Sequence, residues 1–142
     1  MNQTRRFRLL LRYYPLLLKS LVLVCRFRLL LLVSPYLKIA RLIRLEERTP
    51  AAHRPPILIA WAVRQSARIV PRATCLTQAL ALQYLLARQG DRSLIRIGVA
   101  QEGDGALSAH AWVIKDDHVL IGGGLAELSK YNRIVDLEPS SA

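Results

Sequence analysis

The sequence predicts an α+β fold in which a central helix carries a cysteine, an antiparallel sheet carries a histidine, and a basic helical arm comes first. Strong helix formers fill residues 74–88, which predicts the central helix. Apolar and polar residues alternate over 94–100 and 107–115, which predicts two strands. A length of 142 residues with 52% hydrophobic residues is sufficient for one such core.

Residues 1–48 form the basic, leucine-rich arm. Residues 1–50 carry 11 Lys/Arg and two Glu, a net charge of +9 out of the total of +11. These charges interrupt every apolar run before it reaches the roughly 18 residues that a membrane-spanning helix needs. No small-residue cleavage site of a secretory signal peptide precedes the rest of the chain. We therefore expect a cytoplasmic protein that contacts the inner membrane surface at most peripherally.

Two prolines divide the arm into three expected amphipathic helices, at 5–14, 16–33 and 36–47. Their apolar faces can cover the core, and their basic faces can meet an acidic partner, nucleic acid or a lipid surface. A helical cap with a solvated arginine face is the alternative. Nucleic acid is disfavoured because neither interleaved exposed aromatic residues nor a known binding motif accompanies the charge.

The arm ends at a linker, residues 49–56, which holds three prolines. The catalytic core is expected to occupy residues 57–142 and to begin with a helix over 57–69. After the central helix, a glycine-containing hairpin loop joins the two strands, and a tight turn at Asp116 and Asp117 leads to a third strand over 118–121. The expected order is helix followed by antiparallel meander.

Cys75 and His110 are the candidate nucleophile and base. Thr74 is a plausible N-cap, so Cys75 lies in the first helical turn, where the helix dipole favours a thiolate. His110 shares its strand face with Trp112 and Ile114. Each residue alone has an ordinary structural interpretation, a buried small hydrophobe and a hydrogen-bonded core histidine. Together they form the pair that nucleophilic catalysis by cysteine requires.

The residue that would orient His110 is left open by the sequence. Asp116 and Asp117 stand about 20 Å along the extended strand. If they form a two-residue turn, Gly123 lies opposite His110, where no carboxylate is available. The remaining candidates are a backbone carbonyl, a water molecule, or one of the carboxylates Asp104, Glu127, Asp136 and Glu138.

Other polar residues have weaker claims to a role. Gln78, one turn after Cys75, is a candidate amide donor to an oxyanion or substrate, or else a helix-surface glutamine; Trp112 is a candidate substrate contact. His118 and His53 are expected to be a solvated turn residue and a linker residue. Two cysteines are too few for a disulfide scaffold, and they do not stand at zinc-ligand spacing. The glycines at 122–124 do not form a phosphate loop, so the sequence predicts no bound metal or cofactor.

Four segments together resemble the transglutaminase-like leader peptidases of lasso peptide biosynthesis, in their stand-alone form. The similarity covers roughly residues 57–137, and the short basic arm before it is also similar. The segments are Val70 to Ala79, Arg96 to Ala100, Ala109 to Val113, and Val119 to Gly123.

The resemblance implies a papain-like cysteine protease core with Cys75 as nucleophile and His110 as base. The aspartate usual in the family would fall near Gly122, so the third residue is missing. The implied activity is removal of the leader from a ribosomally made precursor peptide. The implied partners are that peptide, a small leader-binding protein and an asparagine-synthetase-like cyclase that consumes ATP. The alternative is a catalytically idle interaction protein that docks through its basic arm.

Overall fold

The computed structural model describes residues 2–46 and 53–140, so the first half of the predicted linker, 49–52, lies outside the described residues. The arm begins with helices α1 (Gln3–Arg12) and α2 (Tyr14–Val33). Pro15 stands in the first turn of α2, where its missing N–H breaks no hydrogen bond. Ser34 is extended because Pro35 follows it, and α2 ends there.

Helix α3 (Tyr36–Ala40) is shorter than the sequence predicted, so the expectation of a helix to residue 47 is wrong. The backbone after it pairs with distant segments instead. The N–H of Leu45 donates to the carbonyl of Ser140 at 2.9 Å, and the N–H of Ser140 donates to the carbonyl of Ile43 at 2.9 Å. These long-range hydrogen bonds replace the local bonds of a helix.

Helices α4 (Pro56–Ala67) and α5 (Cys75–Arg88) follow the linker and pack against each other and against α2. Helix α5 is the centre of the fold and is buried around most of its circumference, as its composition predicted. The three helices and the sheet share one hydrophobic core. Its fully or nearly fully buried members include Val24, Phe27, Ile59, Val63, Leu80, Leu82, Leu86, Ile95 and Val113.

The sheet has four antiparallel strands in the order β3-β2-β1-β4. The strands are β1 (Leu94–Gln101), β2 (Leu107–Lys115), β3 (His118–Ile121) and β4 (Asn132–Leu137), and a short helix α6 (Leu125–Leu128) precedes β4. The α+β class, the central helix and the three-strand meander are confirmed. Strand β4 was not predicted; it adds to the far edge of β1.

The two faces of the sheet have different surroundings. Ile95, Ala111 and Val113 are buried in the core that includes α5. Successive side chains of a strand point to opposite faces, so His110 and Trp112 project from the other face. Helix α5 therefore packs on the face of the sheet opposite to the one from which His110 projects.

Candidate active site

Cys75 is the first residue of α5. Thr74 caps the helix as predicted, because its Oγ1 accepts a hydrogen bond from the N–H of Thr77 at 3.3 Å. The N–H of Gln78 donates to the carbonyl of Thr74 at 3.1 Å. The N–H groups of Cys75 and Leu76 precede that bond and have no intrahelical acceptor. A half-buried free thiol thus lies beside two backbone donors at the positive end of a helix.

Gln78 turns back towards the start of α5. Its Nε2 donates to the carbonyl of Ala73 at 3.4 Å. The amide is therefore close to the cysteine turn but is engaged with the backbone before it. Its predicted contact with an oxyanion or substrate stays a prediction.

His110 is half-buried on β2 within a group of aromatic rings. Its ring stacks with Tyr131 at a centroid distance of 5.3 Å and with Trp112 at 6.0 Å. Its Nε2 contacts the carbonyl oxygen of Gly122. A carbonyl can only accept, so Nε2 carries the hydrogen and the lone pair of a neutral ring is on Nδ1. In this tautomer Nδ1 is the ring nitrogen that is able to accept a proton.

The Gly122 carbonyl takes the position of the orienting group that the sequence left open. The expectation that Gly123 lies opposite His110 is wrong, because β3 contains a bulge. Lys115 pairs with His118 as predicted, but Val113 pairs with Ile121, one residue out of the simple register.

The four candidate carboxylates are not the partners of His110. Three of them have other contacts. Asp104 accepts from the N–H of Ala106 at 3.0 Å, and Asp136 accepts from Arg96 at 2.9 Å. Glu138 lies 3.6 Å from Arg92. Glu127 is an exposed residue of helix α6. Within residues 2–46 and 53–140, His110 is oriented by backbone and stacking.

Two glycines make this arrangement possible. Gly122 has a φ of +112°, and a Cβ there would stand 2.8 Å from Cα of Trp112. Gly98 pairs with His110 across β1 and β2, and a Cβ there would stand 3.0 Å from both Cη2 of Trp112 and Cβ of Tyr131. Sequence reasoning assigned neither a role, although a glycine inside a strand often marks such a close approach.

An open cavity of about 390 Å³ adjoins the aromatic group on this face of the sheet. Arg96 binds Asp136 through two hydrogen bonds of 2.9 and 3.0 Å beside it. The hydrogen bonds from Arg96, with a smaller contribution from Arg133, lower the pKa of Asp136. The cavity is lined by Leu94, Arg96, Trp112, Ile114, Asp117, Val119, Leu125, Leu128, Ser129, Tyr131 and Arg133.

Trp112 is buried, and its predicted contact with substrate stays a prediction.

Cys75 and His110 are not hydrogen-bonded to each other in the part of the chain that the structure describes. Cys75 packs against the core that includes Ala111 and Val113, whereas His110 projects from the face of Trp112. The later part of α5 lies beside the start of β1, because Gln83 Nε2 donates to the carbonyl of Ser93 at 3.3 Å, and β1 pairs antiparallel with β2. The start of α5 and the first half of β2 therefore lie at the same end of the fold.

The turn acids and the two other histidines have no hydrogen bond to Cys75 or His110 among the described residues, although Asp117 lines the cavity. Asp116 and Asp117 are exposed, with φ of 48° and 63°, as a two-residue hairpin turn requires. His118 Nδ1 bonds the carbonyl of Asp116, and His53 Nε2 bonds Asp91 at 2.9 Å. Among the described residues, no group of three or more His, Cys, Asp or Glu side chains could hold a metal ion.

Residues 21–136, well over half of the chain, match the profile of the transglutaminase-like superfamily. The chain belongs to the transglutaminase-like superfamily. Neither the comparison with curated proteins nor that with solved structures yields a match. The superfamily includes cysteine peptidases, and the match does not distinguish the lasso peptide group within it. The superfamily match begins inside α2, so it also covers most of the helix that packs on α4 and α5.

Proposed function

We propose that the protein is a cysteine peptidase that removes the leader from a ribosomally synthesised precursor peptide during lasso peptide maturation. The observation that carries the proposal is Cys75 at the start of the buried helix of a transglutaminase-like domain, with His110 on the adjoining sheet. The finer assignment to leader removal rests on the resemblance of the segments around these two residues.

In the proposed reaction, His110 Nδ1 takes the thiol proton and Cys75 Sγ attacks the carbonyl carbon of the scissile peptide bond. The N–H groups of Cys75 and Leu76 donate to the oxyanion. The tetrahedral intermediate collapses as His110 returns the proton to the leaving amine. A water molecule, deprotonated by His110, then hydrolyses the thioester and restores the thiol.

This reaction requires His110, which projects from the face of the sheet opposite to the one that Cys75 packs against, to reach Cys75 when substrate binds. Catalytic hydrogen bonds are often long in substrate-free enzymes and form in the substrate complex. In the proposed enzyme, the Gly122 carbonyl holds the ring tautomer that leaves Nδ1 free, which is the task of an aspartate elsewhere in the family.

The proposed partners are the precursor peptide, a small leader-binding protein and an asparagine-synthetase-like cyclase in the cytoplasm. We assign no cofactor to this chain, and ATP would be consumed by the cyclase. A second candidate function is a non-catalytic interaction protein that docks through its basic arm. The missing hydrogen bond between Cys75 and His110, and Gly122 in place of the family's aspartate, favour this alternative.

Mass spectrometry of the precursor peptide, with the partner proteins supplied, separates the two functions. Cys75→Ala is expected to abolish leader removal, and Cys25→Ala, at the other half-buried free cysteine, is the matched control and should retain it. His110→Ala should lose about 10²- to 10⁴-fold in rate. Leader removal by Cys75→Ala at the wild-type rate would refute the peptidase proposal, which makes Cys75 the nucleophile.

A further inference from the structure

Helix α2 carries a continuous apolar stripe on the side that faces away from the core. At 100° per residue its members all fall within about 100° of one another around the helix, and each is between 58% and 79% exposed. The opposite side of the same helix is buried at Leu16, Leu23, Val24 and Phe27. We call the exposed set the α2 stripe; it consists of Tyr14, Leu18, Val22, Leu29, Leu32 and Val33.

Cationic side chains border the α2 stripe. At 100° per residue, Lys19 and Arg26 lie along one edge of the stripe and Arg28 lies along the other. Such long side chains can rest their stems on an apolar layer while their charges reach out of it. The preceding helix α1 repeats the pattern with exposed Phe7 and Leu11 among its arginines.

An open apolar groove beside Leu18 enlarges this surface. It has a volume of about 340 Å³ and lies between α1, α2 and the end of α4. Gln65 and Ser66 are its polar lining residues, and the others are Leu10, Tyr14, Leu17, Leu18, Leu21 and Ile69. The groove has room for several methylene groups of a lipid chain.

We propose that the α2 stripe lies in the interface of an anionic lipid membrane, with α2 parallel to the membrane surface. Over the described ranges, no helix is long and apolar enough to cross the bilayer. An exposed apolar helix face with cationic borders, whose other side is buried in the protein, can instead lie at the level of the headgroups. This inference concerns a surface of α1 and α2, neither of which carries Cys75 or His110, and does not rest on the proposed function.

The positive charge of the arm favours an anionic lipid surface over a second copy of the chain as the partner that covers the α2 stripe. Residues 2–46 contain ten Lys/Arg and a single acid, Glu46. Two such faces would bring like charges together. At an anionic surface, by contrast, each nearby cation raises the binding affinity about fivefold at moderate salt. Apolar contact area and charge therefore act together only at the lipid surface.

Flotation of the full-length protein with vesicles tests the proposal. Vesicles of phosphatidylcholine with phosphatidylglycerol should carry the protein upward, and vesicles of phosphatidylcholine alone should carry much less. Leu18→Gln with Leu29→Gln should reduce partitioning by about tenfold or more, because two side chains no longer enter the apolar layer. The control pair is Ile57→Gln with Leu107→Gln, which are 66% and 74% exposed outside the arm and should leave flotation unchanged.

Three results would overturn the inference. The first is a wild-type protein that floats with neither vesicle. The second is a stripe variant that floats as well as the control pair. The third is a wild-type dimer in lipid-free buffer that the stripe variant converts to a monomer, since the α2 stripe would then join two copies. None of these results alters the cleavage test, so a failure here is distinguishable from a failure of the proposed peptidase activity.

Discussion

Substitution of Gly122 by alanine should disturb the candidate site more than its single added methyl group suggests. The φ of +112° lies where a residue with a Cβ is strained, at a cost of about 1–3 kcal/mol. The new Cβ would also stand 2.8 Å from Cα of Trp112 and 3.1 Å from the carbonyl oxygen of Ala111. Relief of these contacts must shift backbone, because neither atom belongs to a flexible side chain. We expect a destabilisation of at least about 2 kcal/mol in total.

Gly124→Ala is the matched control two residues away. Its φ is −85°, and an added Cβ there meets nothing within 4 Å. The loss of a glycine N-cap and the lower entropy of the unfolded chain act in opposite directions, so we expect a net change within about 1 kcal/mol in the free energy of unfolding. Urea unfolding of the two variants and the wild type measures the difference. Equal midpoints for both variants would refute the reasoning on Gly122.

The same pair of variants reports on His110. Nitrogen NMR of the imidazole should show hydrogen on Nε2 in the wild type and in Gly124→Ala, because the Gly122 carbonyl accepts from that atom. In Gly122→Ala the carbonyl moves and the preference for this tautomer should weaken. An unchanged tautomer in a destabilised Gly122→Ala variant would show that ring stacking alone orients His110.

Two further predictions concern acidic residues outside the site. Burial opposes the charge on Asp91, but the hydrogen bond from Gln89 and the nearby charges of Lys115 and His53 outweigh it and lower the pKa of Asp91. The native state therefore gains stability from the Asp91 carboxylate above the unfolded-state pKa of about 3.9, and loses it as pH falls through the lower folded-state pKa. Asp91→Ala should cost about 1–3 kcal/mol by urea unfolding at neutral pH because the buried amide of Gln89 loses an acceptor while Lys115 keeps Asp116, and the deficit should shrink below about pH 4. Glu138→Ala, in a pair with Arg92 whose side chains are 59% and 55% exposed, should cost under about 1 kcal/mol; an equal loss in both variants would contradict this assignment. Asp116→Asn and Asp117→Asn should each retain most of the leader-removal activity, because both lie in an exposed turn at the far end of β2 from His110; a loss beyond about a hundredfold in either would show that the turn reaches the site.

The parts of the fold that the sequence predicted are those set by local chemistry. The threonine cap of α5 and the start of that helix at Cys75 follow from the orphan N–H groups of a helix terminus. The turn at Asp116 and Asp117 follows from the tolerance of aspartate for positive φ. Alternation predicted β1, β2 and β3 with at most a one-residue error at their ends.

The parts that sequence reasoning missed depend on distant partners. Helix α3 ends early because Ile43 and Leu45 pair with Ser140, nearly one hundred positions away. Strand β4 is short, and its position beside β1 is set by tertiary contacts and not by a local sequence pattern. The bulge in β3 shifts the carbonyl of Gly122 onto His110, and no periodicity in residues 118–124 indicates it. The orienting group is a backbone atom, which has no signature in the sequence.

The rate of thiol alkylation tests most directly the central claim, that Cys75 is a nucleophile made reactive by its helix terminus and by His110. Iodoacetamide at neutral pH should label Cys75 faster than Cys25, an internal comparison between two half-buried free thiols. With the precursor peptide bound, which brings the pair together in the proposed reaction, His110→Ala should slow the labelling of Cys75 and leave that of Cys25 unchanged. Equal labelling rates for the two cysteines in the wild type, or a Cys75 rate indifferent to His110, would contradict the account.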